Sequence, residues 1–272
     1  MKFYKYLSLA VLFGLTLAGG ACSQEEEHFP DVNGNMVIKV YDAGMDAVGG
    51  TSRAVTDENY TTAFEAGDCI GLFAIKEGAI WNNINNVKVT YTENETWTSD
   101  IVLQYDDEQE GVAYYAYYPY QDGKTFQSGL IEEFFARMAE EWVPAADQSD
   151  KDKFAASDLM TTTEPASASQ EGSGQFTIRL AMKHRMAMSV LVMPETEYKF
   201  SDEALNEIPY IAKESASMFY MSSVSNENIV KPYLATDGSY RLIIKPVDAN
   251  KLIVTQGTYS DKKYEFTATV NE

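Results

Sequence analysis

The sequence predicts an all-β chain with a single helix. Short apolar runs are separated by turn-forming residues at intervals of about 8–12 residues, which is the pattern of β-sandwich proteins. The composition agrees, because the 272 residues include 18 tyrosines, and tyrosine favours the pleated, half-buried surface of a sheet. Only one stretch places its apolar residues at helical spacing.

The first half of the chain carries the strands of one predicted domain. One strand is entered through a turn at Gly67 and Asp68, where glycine permits the turn and the aspartate can bond its own backbone. A later strand is rich in tyrosine and stops at Pro119. We expect alternate tyrosines there to face the core and the others to be exposed. The predicted strands occupy residues 36–41, 69–75, 87–91, 101–103 and 112–118.

One helix interrupts these strands. Ser128 is predicted to cap it and Pro144 to end it, because proline cannot continue a helix. Its apolar stripe is expected to face the core. The stripe consists of Leu130, Ile131, Phe134, Phe135, Met138 and Trp142. Residues 144–174 are rich in Ala, Ser, Thr and Asp and are predicted to form a long loop.

The second half of the chain again contains short apolar runs between polar turns. The predicted strands occupy residues 175–184, 188–193, 240–245, 252–254 and 264–270. We therefore place a domain boundary near residue 174. The predicted units are an N-terminal β-sandwich domain of residues 36–174 and a C-terminal β-sandwich domain of residues 175–272.

The N-terminal sequence is typical of an exported lipoprotein. Lys2 and Lys5 precede an apolar run over residues 7–17 that is too short to span a bilayer, and small residues follow as far as Cys22. This order predicts a lipoprotein signal peptide of residues 1–21, with Cys22 acylated as the new N-terminus. The alternative is an ordinary signal peptide in which the cysteine is incidental.

Three glutamates follow this cysteine. Glu25, Glu26 and Glu27 form a run of like charge that stays solvated, so residues 22–35 are predicted to be an acidic tether. The run resembles the acidic tag that Bacteroidota place after the lipidated cysteine of surface lipoproteins. That resemblance implies exposure on the outer surface of the outer membrane.

Charge and motif content argue against two functional classes. A net charge of −20 argues against nucleic acid as a partner, because phosphate recognition needs basic patches. With only His28 and His184, the chain has neither a catalytic triad nor a zinc motif, and no pair of carboxylates stands out among its 41 acidic residues. A solvated loop is favoured over a calcium site at residues 106–110, and a structural role is expected for His184. We predict no enzyme, cofactor or metal site.

Several segments follow one another in a recognisable order. After the acidic start come residues 52–54 (Ser-Arg-Ala), 67–73 (Gly-Asp-Cys-Ile-Gly-Leu-Phe), 115–120 (Tyr-Ala-Tyr-Tyr-Pro-Tyr), 143–148 (Val-Pro-Ala-Ala-Asp-Gln), 157–159 (Ser-Asp-Leu) and 183–184 (Lys-His). This order resembles the fimbrillin family of Bacteroidota, the subunits of type V pili and related surface lipoproteins. The resemblance covers nearly all of the mature chain. It implies two transthyretin-like β-sandwich domains in tandem, with the helix inserted in the first, and no catalysis.

The resemblance also implies a mode of assembly. In the family, an arginine-specific protease cuts at about this distance from the N-terminus. In this chain the matching position is between Arg53 and Ala54, after a glycine-rich segment that we expect to be exposed. Release of residues 36–41 would open a groove whose unpaired backbone groups accept a strand from another subunit. The donor-strand residues predicted to share one face are Tyr264, Phe266, Ala268 and Val270. If that run completes its own domain instead, an uncut chain is a terminal or anchoring subunit.

These inferences predict a structural or accessory subunit of a cell-surface pilus that is used in adhesion. The predicted partners are other pilus subunits, the outer membrane through the lipid anchor, and host surface proteins or glycans. The alternative function is a monomeric surface lipoprotein that binds host or dietary glycans.

Overall fold

The computed structural model describes residues 34–44, 63–92, 96–105, 107–172, 174–192, 195–201, 207–213, 219–223, 226–246, 252–259 and 262–269. Strands dominate these residues, which confirms the prediction of a mostly β chain with few helices. Within the described ranges, no helix combines the length and apolarity needed to cross a bilayer.

Seven strands close into a barrel-like sheet. The strands of this part of the chain are β1 (Val37–Asp42), β2 (Cys69–Lys76), β3 (Ala79–Thr92), β4 (Thr96–Ser99), β5 (Ala113–Tyr118), β6 (Met160–Thr162), β7 (Ala168–Gln170) and β8 (Phe176–His184). Around the ring the order is β1, β4, β3, β2, β5, β6, β8, and β8 pairs with β1 to close it. The β1–β8 pairing is parallel and the others in the ring are antiparallel. β7 pairs with the first residues of β8.

The ring has apolar layers on both sides of β2 and β5. Leu72 and Tyr114 belong to the cluster inside the barrel, whereas Phe73, Tyr115 and Tyr117 belong to a second cluster on its outer side. All five side chains are buried. The expectation that alternate tyrosines of this strand would be exposed is therefore wrong, because a helix covers the outer face of β5.

Helix α1 (Ile131–Glu141) supplies this cover. It confirms the predicted helix, and Ile131, Phe135 and Met138 are buried on the side that faces the sheet. The predicted cap is wrong. Leu130 occupies the N-cap position and makes no side-chain cap hydrogen bond. It is 62% exposed, so the prediction that it faces the core is wrong, and packing of the rest of the apolar stripe stabilises this helix.

The segment predicted as a long loop, residues 144–174, contains regular structure. Helix α2 (Lys151–Ala156) is capped by Asp150, whose side chain accepts a hydrogen bond from the Lys153 backbone N–H. Strands β6 and β7 lie further along the same segment. A strand predicted at residues 101–103 is absent from the described structure, and the neighbouring strand is β4 instead. A short 3₁₀ helix follows at Asp107–Gln109.

Gly71 lies on β2 directly opposite Tyr117 of β5. The Tyr117 ring passes over the glycine, and its hydroxyl lies 2.9 Å from the Asn86 side-chain oxygen. A Cβ atom on Gly71 would overlap both the ring and that oxygen. The glycine is therefore required by close packing of the tyrosine.

We expect Gly71→Ala to lower the free energy of unfolding by about 1–3 kcal/mol, because the added methyl group overpacks a dense cluster. Urea denaturation followed by circular dichroism measures the change. Gly172→Ala is the matched control, since a Cβ there meets only open space, and it should change stability by less than about 0.5 kcal/mol. Equal stability of the two variants would contradict the packing argument.

The described residues of the second half of the chain form three smaller sheets. Its strands are β9 (Ala187–Leu191), β10 (Glu195–Ser201), β11 (Glu207–Lys213), β12 (Phe219–Ser223), β13 (Asn226–Val230), β14 (Tyr233–Leu234), β15 (Tyr240–Ile244), β16 (Leu252–Tyr259) and β17 (Lys262–Thr269). The sheet orders are β14-β15-β9, β10-β11 and β13-β12-β16-β17. Strands β10 to β14 had no counterpart in the sequence prediction, because their runs are very short or mix polar and apolar residues.

Two features connect the halves of the chain. The predicted boundary near residue 174 immediately precedes β8, which pairs with β1, β6 and β7. Gln148, almost fully buried, accepts a hydrogen bond from the Ile243 backbone N–H at 2.8 Å and donates one to the Ile243 carbonyl at 2.9 Å. The side-chain amide of Gln148 thus pairs with the backbone of β15 as a neighbouring strand would, and it fixes the segment before α2 to that strand.

Candidate functional site

Strand β1 closes the barrel, and its two edges pair to different extents with their neighbouring strands. Along β8 it pairs in parallel over its whole length, from Val37 opposite Thr177 to Asp42 opposite Met182. Along β4 the register contains the single antiparallel pair Ile38–Trp97. A further backbone hydrogen bond of 2.8 Å runs from the Met36 N–H to the Leu103 carbonyl. β1 is therefore the strand at which the ring closes between two segments distant in sequence.

The side chains of β1 alternate between the barrel interior and its surface. Ile38 and Met36, which immediately precedes β1, are buried in the interior cluster, and Val40 packs against it. Tyr41 is 40% exposed, and Lys39 forms a partly exposed ion pair of 3.2 Å with Glu171. Because exposed ion pairs contribute at most about 1 kcal/mol, the interior residues and the backbone ladder hold the strand.

The last residue of β1 joins a buried cluster of three ionisable groups. The Asp42 Oδ1 atom lies 3.3 Å from His184 Nε2, and the Asp158 Oδ2 atom lies 2.7 Å from His184 Nδ1. The three side chains are 7%, 1% and 0% exposed for Asp42, Asp158 and His184. We call this cluster, Asp42–His184–Asp158, the clamp.

The clamp favours a protonated imidazole. Burial by itself lowers the pKa of His184, but the charges of Asp158 and Asp42 outweigh it and raise that pKa to about 9. Burial also raises the pKa of Asp158, and the positive His184 opposes that rise. Since each ring nitrogen faces a carboxylate oxygen, both nitrogens act as donors in the charged form.

The surrounding backbone fixes the position of Asp158. Its N–H donates to the Ala155 carbonyl at 3.1 Å, and the Arg185 N–H donates to the Leu159 carbonyl at 2.7 Å. The Trp142 indole N–H donates to the Ser157 carbonyl at 2.9 Å. The Asp158 Oδ1 atom has no hydrogen-bond partner among the described residues, so its oxygen on the His184 side carries the polar contact.

The chemistry of the clamp is electrostatic attachment. A fully buried imidazole cannot reach a dissolved substrate, but it can hold the end of β1 to β8 and to the segment after α2. This agrees with the structural role expected for His184. Sequence reasoning missed Asp42 and Asp158 as its partners, although residues 157–159 and 183–184 were both among the segments that carried the family resemblance.

Two clefts share Ala63 and Phe64 in their linings, and one of them includes residues of β1. One cleft of about 370 Å³ is lined by Lys39, Tyr41, Tyr91 and Trp97, and the other, of about 420 Å³, is lined by Asp68, Tyr118, Tyr120 and Lys151. The Phe64 ring meets the Trp97 ring edge-to-face at a centroid distance of 5.1 Å. The clefts therefore offer aromatic faces beside charged and hydroxyl groups.

Most residues of the predicted site lie outside the described part of the chain. This applies to Cys22, Glu25–Glu27, Arg53, Ala54 and Val270. Tyr264, Phe266 and Ala268 lie on β17, which pairs antiparallel with β16. β17 is the last strand of its four-stranded sheet. Within the described residues, no group of three or more His, Cys, Asp or Glu is placed to hold a metal ion.

Comparison with known proteins gives a consistent set of relatives. The curated protein named "Putative fimbrium tip subunit Fim1C", from Bacteroides ovatus, is 37% identical over 270 residues, which cover 97% of this chain and 49% of that protein. The crystal structure of a fimbrial protein from Bacteroides ovatus matches with a TM-score of 0.66 and 34% identity, over 89% of this chain and 47% of that one. The chain thus spans about half the length of these relatives.

The family assignment rests on a match over most of the sequence. The sequence model of the fimbrillin-like family matches residues 52–272. The matched region contains β2 to β17 and two of the three clamp residues, Asp158 and His184. The chain belongs to the fimbrillin-like family.

Proposed function

We propose that this protein is a subunit of a cell-surface fimbrium, assembled when β1 is exchanged for a strand of another subunit, and that the fimbrium serves adhesion. The observation that carries the proposal is the position of β1. It closes the ring through one parallel ladder and one short antiparallel contact. Its removal would leave the edges of β4 and β8 unpaired around an apolar interior, which is the surface that strand addition needs.

The proposal includes maturation before assembly. Residues 1–21 are removed, Cys22 carries lipid, and Glu25–Glu27 direct the protein to the cell surface. Cleavage between Arg53 and Ala54 then separates β1 from the rest of the chain. β17 donates a strand to the next subunit, and the barrel of β1 to β8 and the sheets of β9 to β17 correspond to two transthyretin-like domains. Support comes from the family membership and from the place of β17 at the end of its sheet.

The relative's name supports a more specific position. Because the chain is 37% identical to a protein named as a fimbrium tip subunit, we propose an accessory place near the tip rather than in the stalk. The clefts around Phe64 are the surface that we assign to the adhesion ligand, since the partly exposed rings of Tyr41, Tyr91 and Tyr120 combine a large apolar face with a hydroxyl group.

Protease treatment tests the assembly mechanism. We expect an arginine-specific protease to convert the purified monomer into multimers that electron microscopy shows as short fibres. The Arg53→Ala variant should remain monomeric under the same treatment. Equal assembly of the two proteins would contradict cleavage at Arg53 as the trigger.

The lipid anchor has a separate test. Intact mass of the membrane-extracted protein should show an acylated chain that begins at Cys22, and Cys22→Ala should appear as an unacylated protein. An unmodified chain beginning elsewhere would refute the anchor and leave the assembly mechanism standing.

The glycan-binding alternative is favoured by the same two clefts. A glycan array probed with the protein before and after protease cleavage measures glycan binding. Glycan binding by a protein that stays monomeric after cleavage would replace the fimbrial proposal, whereas binding by cleaved multimers would assign the clefts to adhesion.

A further inference from the structure

The place that β1 occupies in the ring presents four inward positions, at residues 36, 38, 40 and 42. The first three hold apolar side chains that belong to or pack against the interior cluster. The fourth holds Asp42, whose carboxylate faces His184. Alternation along a strand puts these four positions on one face. The groove that β1 leaves therefore favours a strand with apolar residues at three alternate positions and an acidic residue at the next alternate position.

The acidic position matters because His184 stays in the ring when β1 leaves. An apolar residue at position 42 would bury the imidazolium with one carboxylate partner fewer. A strand with a carboxylate at that position would restore the contact that Asp42 makes. The fourth position thus distinguishes between strands whose apolar residues fit equally well.

The chain itself contains this pattern. Residues 266–272 read Phe-Thr-Ala-Thr-Val-Asn-Glu, which places apolar residues at 266, 268 and 270 and a carboxylate at 272. Aligned in the same chain direction as β1, Phe266 replaces Met36, Ala268 replaces Ile38, Val270 replaces Val40 and Glu272 replaces Asp42. The strand would therefore run parallel to β8, as β1 does.

Neighbouring registers fail on the same criterion. A shift of two residues that puts Phe266 at position 38 places Val270 against His184. Placing Glu265 at position 42 puts Lys263 and Asp261 at the apolar positions 40 and 38, which buries two charges in the barrel interior. Only the register with Glu272 at position 42 satisfies all four positions.

We propose that His184 selects the register of the incoming strand, an inference that rests on the proposed strand exchange. Residues 266–272 of a second copy of this chain enter the ring with Glu272 facing His184. The fit is unequal along the strand, since Phe266 is larger than Met36 and Ala268 is smaller than Ile38. Ala268→Ile should therefore increase assembly by filling the space that Ile38 leaves.

Disulfide trapping tests the register. In β1, Lys39 lies opposite Arg179, and Thr269 replaces Lys39 in the proposed register. Full-length protein carrying Arg179→Cys is mixed with full-length protein carrying either Thr269→Cys or Thr267→Cys, all with Cys69→Ser, and cleaved with the arginine-specific protease. We expect the Thr269 pair to form at least tenfold more disulfide-linked dimer than the Thr267 pair, because position 267 meets Arg179 only in the shifted register.

The carboxylate is tested independently. Glu272→Gln should reduce multimer formation at least fivefold, whereas Glu265→Gln, on the other face of the strand, should leave it unchanged. Multimers that crosslink through Thr267, or that are insensitive to Glu272→Gln, would overturn the inference while leaving strand exchange intact. A wild-type protein that is cleaved and forms no multimers would overturn the strand exchange and the inference together.

Discussion

Asp158→Ala is expected to lower the free energy of unfolding by about 3 kcal/mol at pH 6, the lower end of the range for breaking a buried ion pair. The variant removes the 2.7 Å contact to His184 Nδ1. The contact between the buried imidazole and the Asp42 carboxylate stays in place. The loss stays near the lower end because His184 can release its proton. Urea denaturation at pH 6 measures the change.

The matched control is Asp152→Ala. Asp152 lies on α2, a few residues before Asp158, but its side chain is exposed. Removal of a surface carboxylate from the first helical turn should cost less than about 1 kcal/mol. If the two alanine variants are equally stable, the clamp does not contribute to the fold.

The stability of the protein is expected to fall as the pH rises from 6.5 to about 9. The folded state raises the pKa of His184 from 6.5 to about 9, so the stabilisation is complete below pH 6.5 and is lost as the pH approaches 9. A pKa rise of this size corresponds to about 3 kcal/mol. The sign follows from proton binding, since above pH 6.5 the unfolded chain releases a proton that the folded clamp retains.

His184→Gln isolates this effect from other groups that titrate in the same range. Free energies of unfolding are measured for both proteins at pH 6, 7, 8 and 9. The difference between wild type and variant should shrink steadily with rising pH. A difference that is constant, or that grows with pH, would show that His184 is not protonated in the folded protein.

The strands of the barrel could largely be predicted because their apolar patterns are local. Residues 69–75 and 112–118 carry continuous apolar and aromatic runs, and β2 and β5 lie there. The helix at residues 151–156 was not predicted. A helix of six residues depends on its Asp150 cap and on packing of Phe154, and neither gives a periodic pattern in the sequence. The strand predicted at residues 101–103 was wrong, because a run of three apolar residues is too short to distinguish a strand from a loop.

The clamp could not be predicted because its residues meet only when the ring closes. Asp42, Asp158 and His184 come from three separate segments, and the sequence offers 41 acidic residues as partners for a single histidine. The parallel β1–β8 register brings the end of β1 to His184, and the short β6–β8 pairing brings the segment of Asp158 there. These pairings join residues far apart in the chain, which local patterns do not specify.

A reversible lock on β1 tests the central claim most directly. Lys39 and Arg179 lie opposite each other on β1 and β8, and the spacing of adjacent strands, about 4.8 Å, is within reach of a disulfide. We expect the double variant Lys39→Cys and Arg179→Cys, cleaved with the arginine-specific protease under oxidising conditions, to remain monomeric because β1 cannot leave. Addition of a reductant should then restore multimers to the wild-type level. Assembly of the oxidised variant at the wild-type rate would show that β1 does not have to leave the ring and would contradict the proposed mechanism.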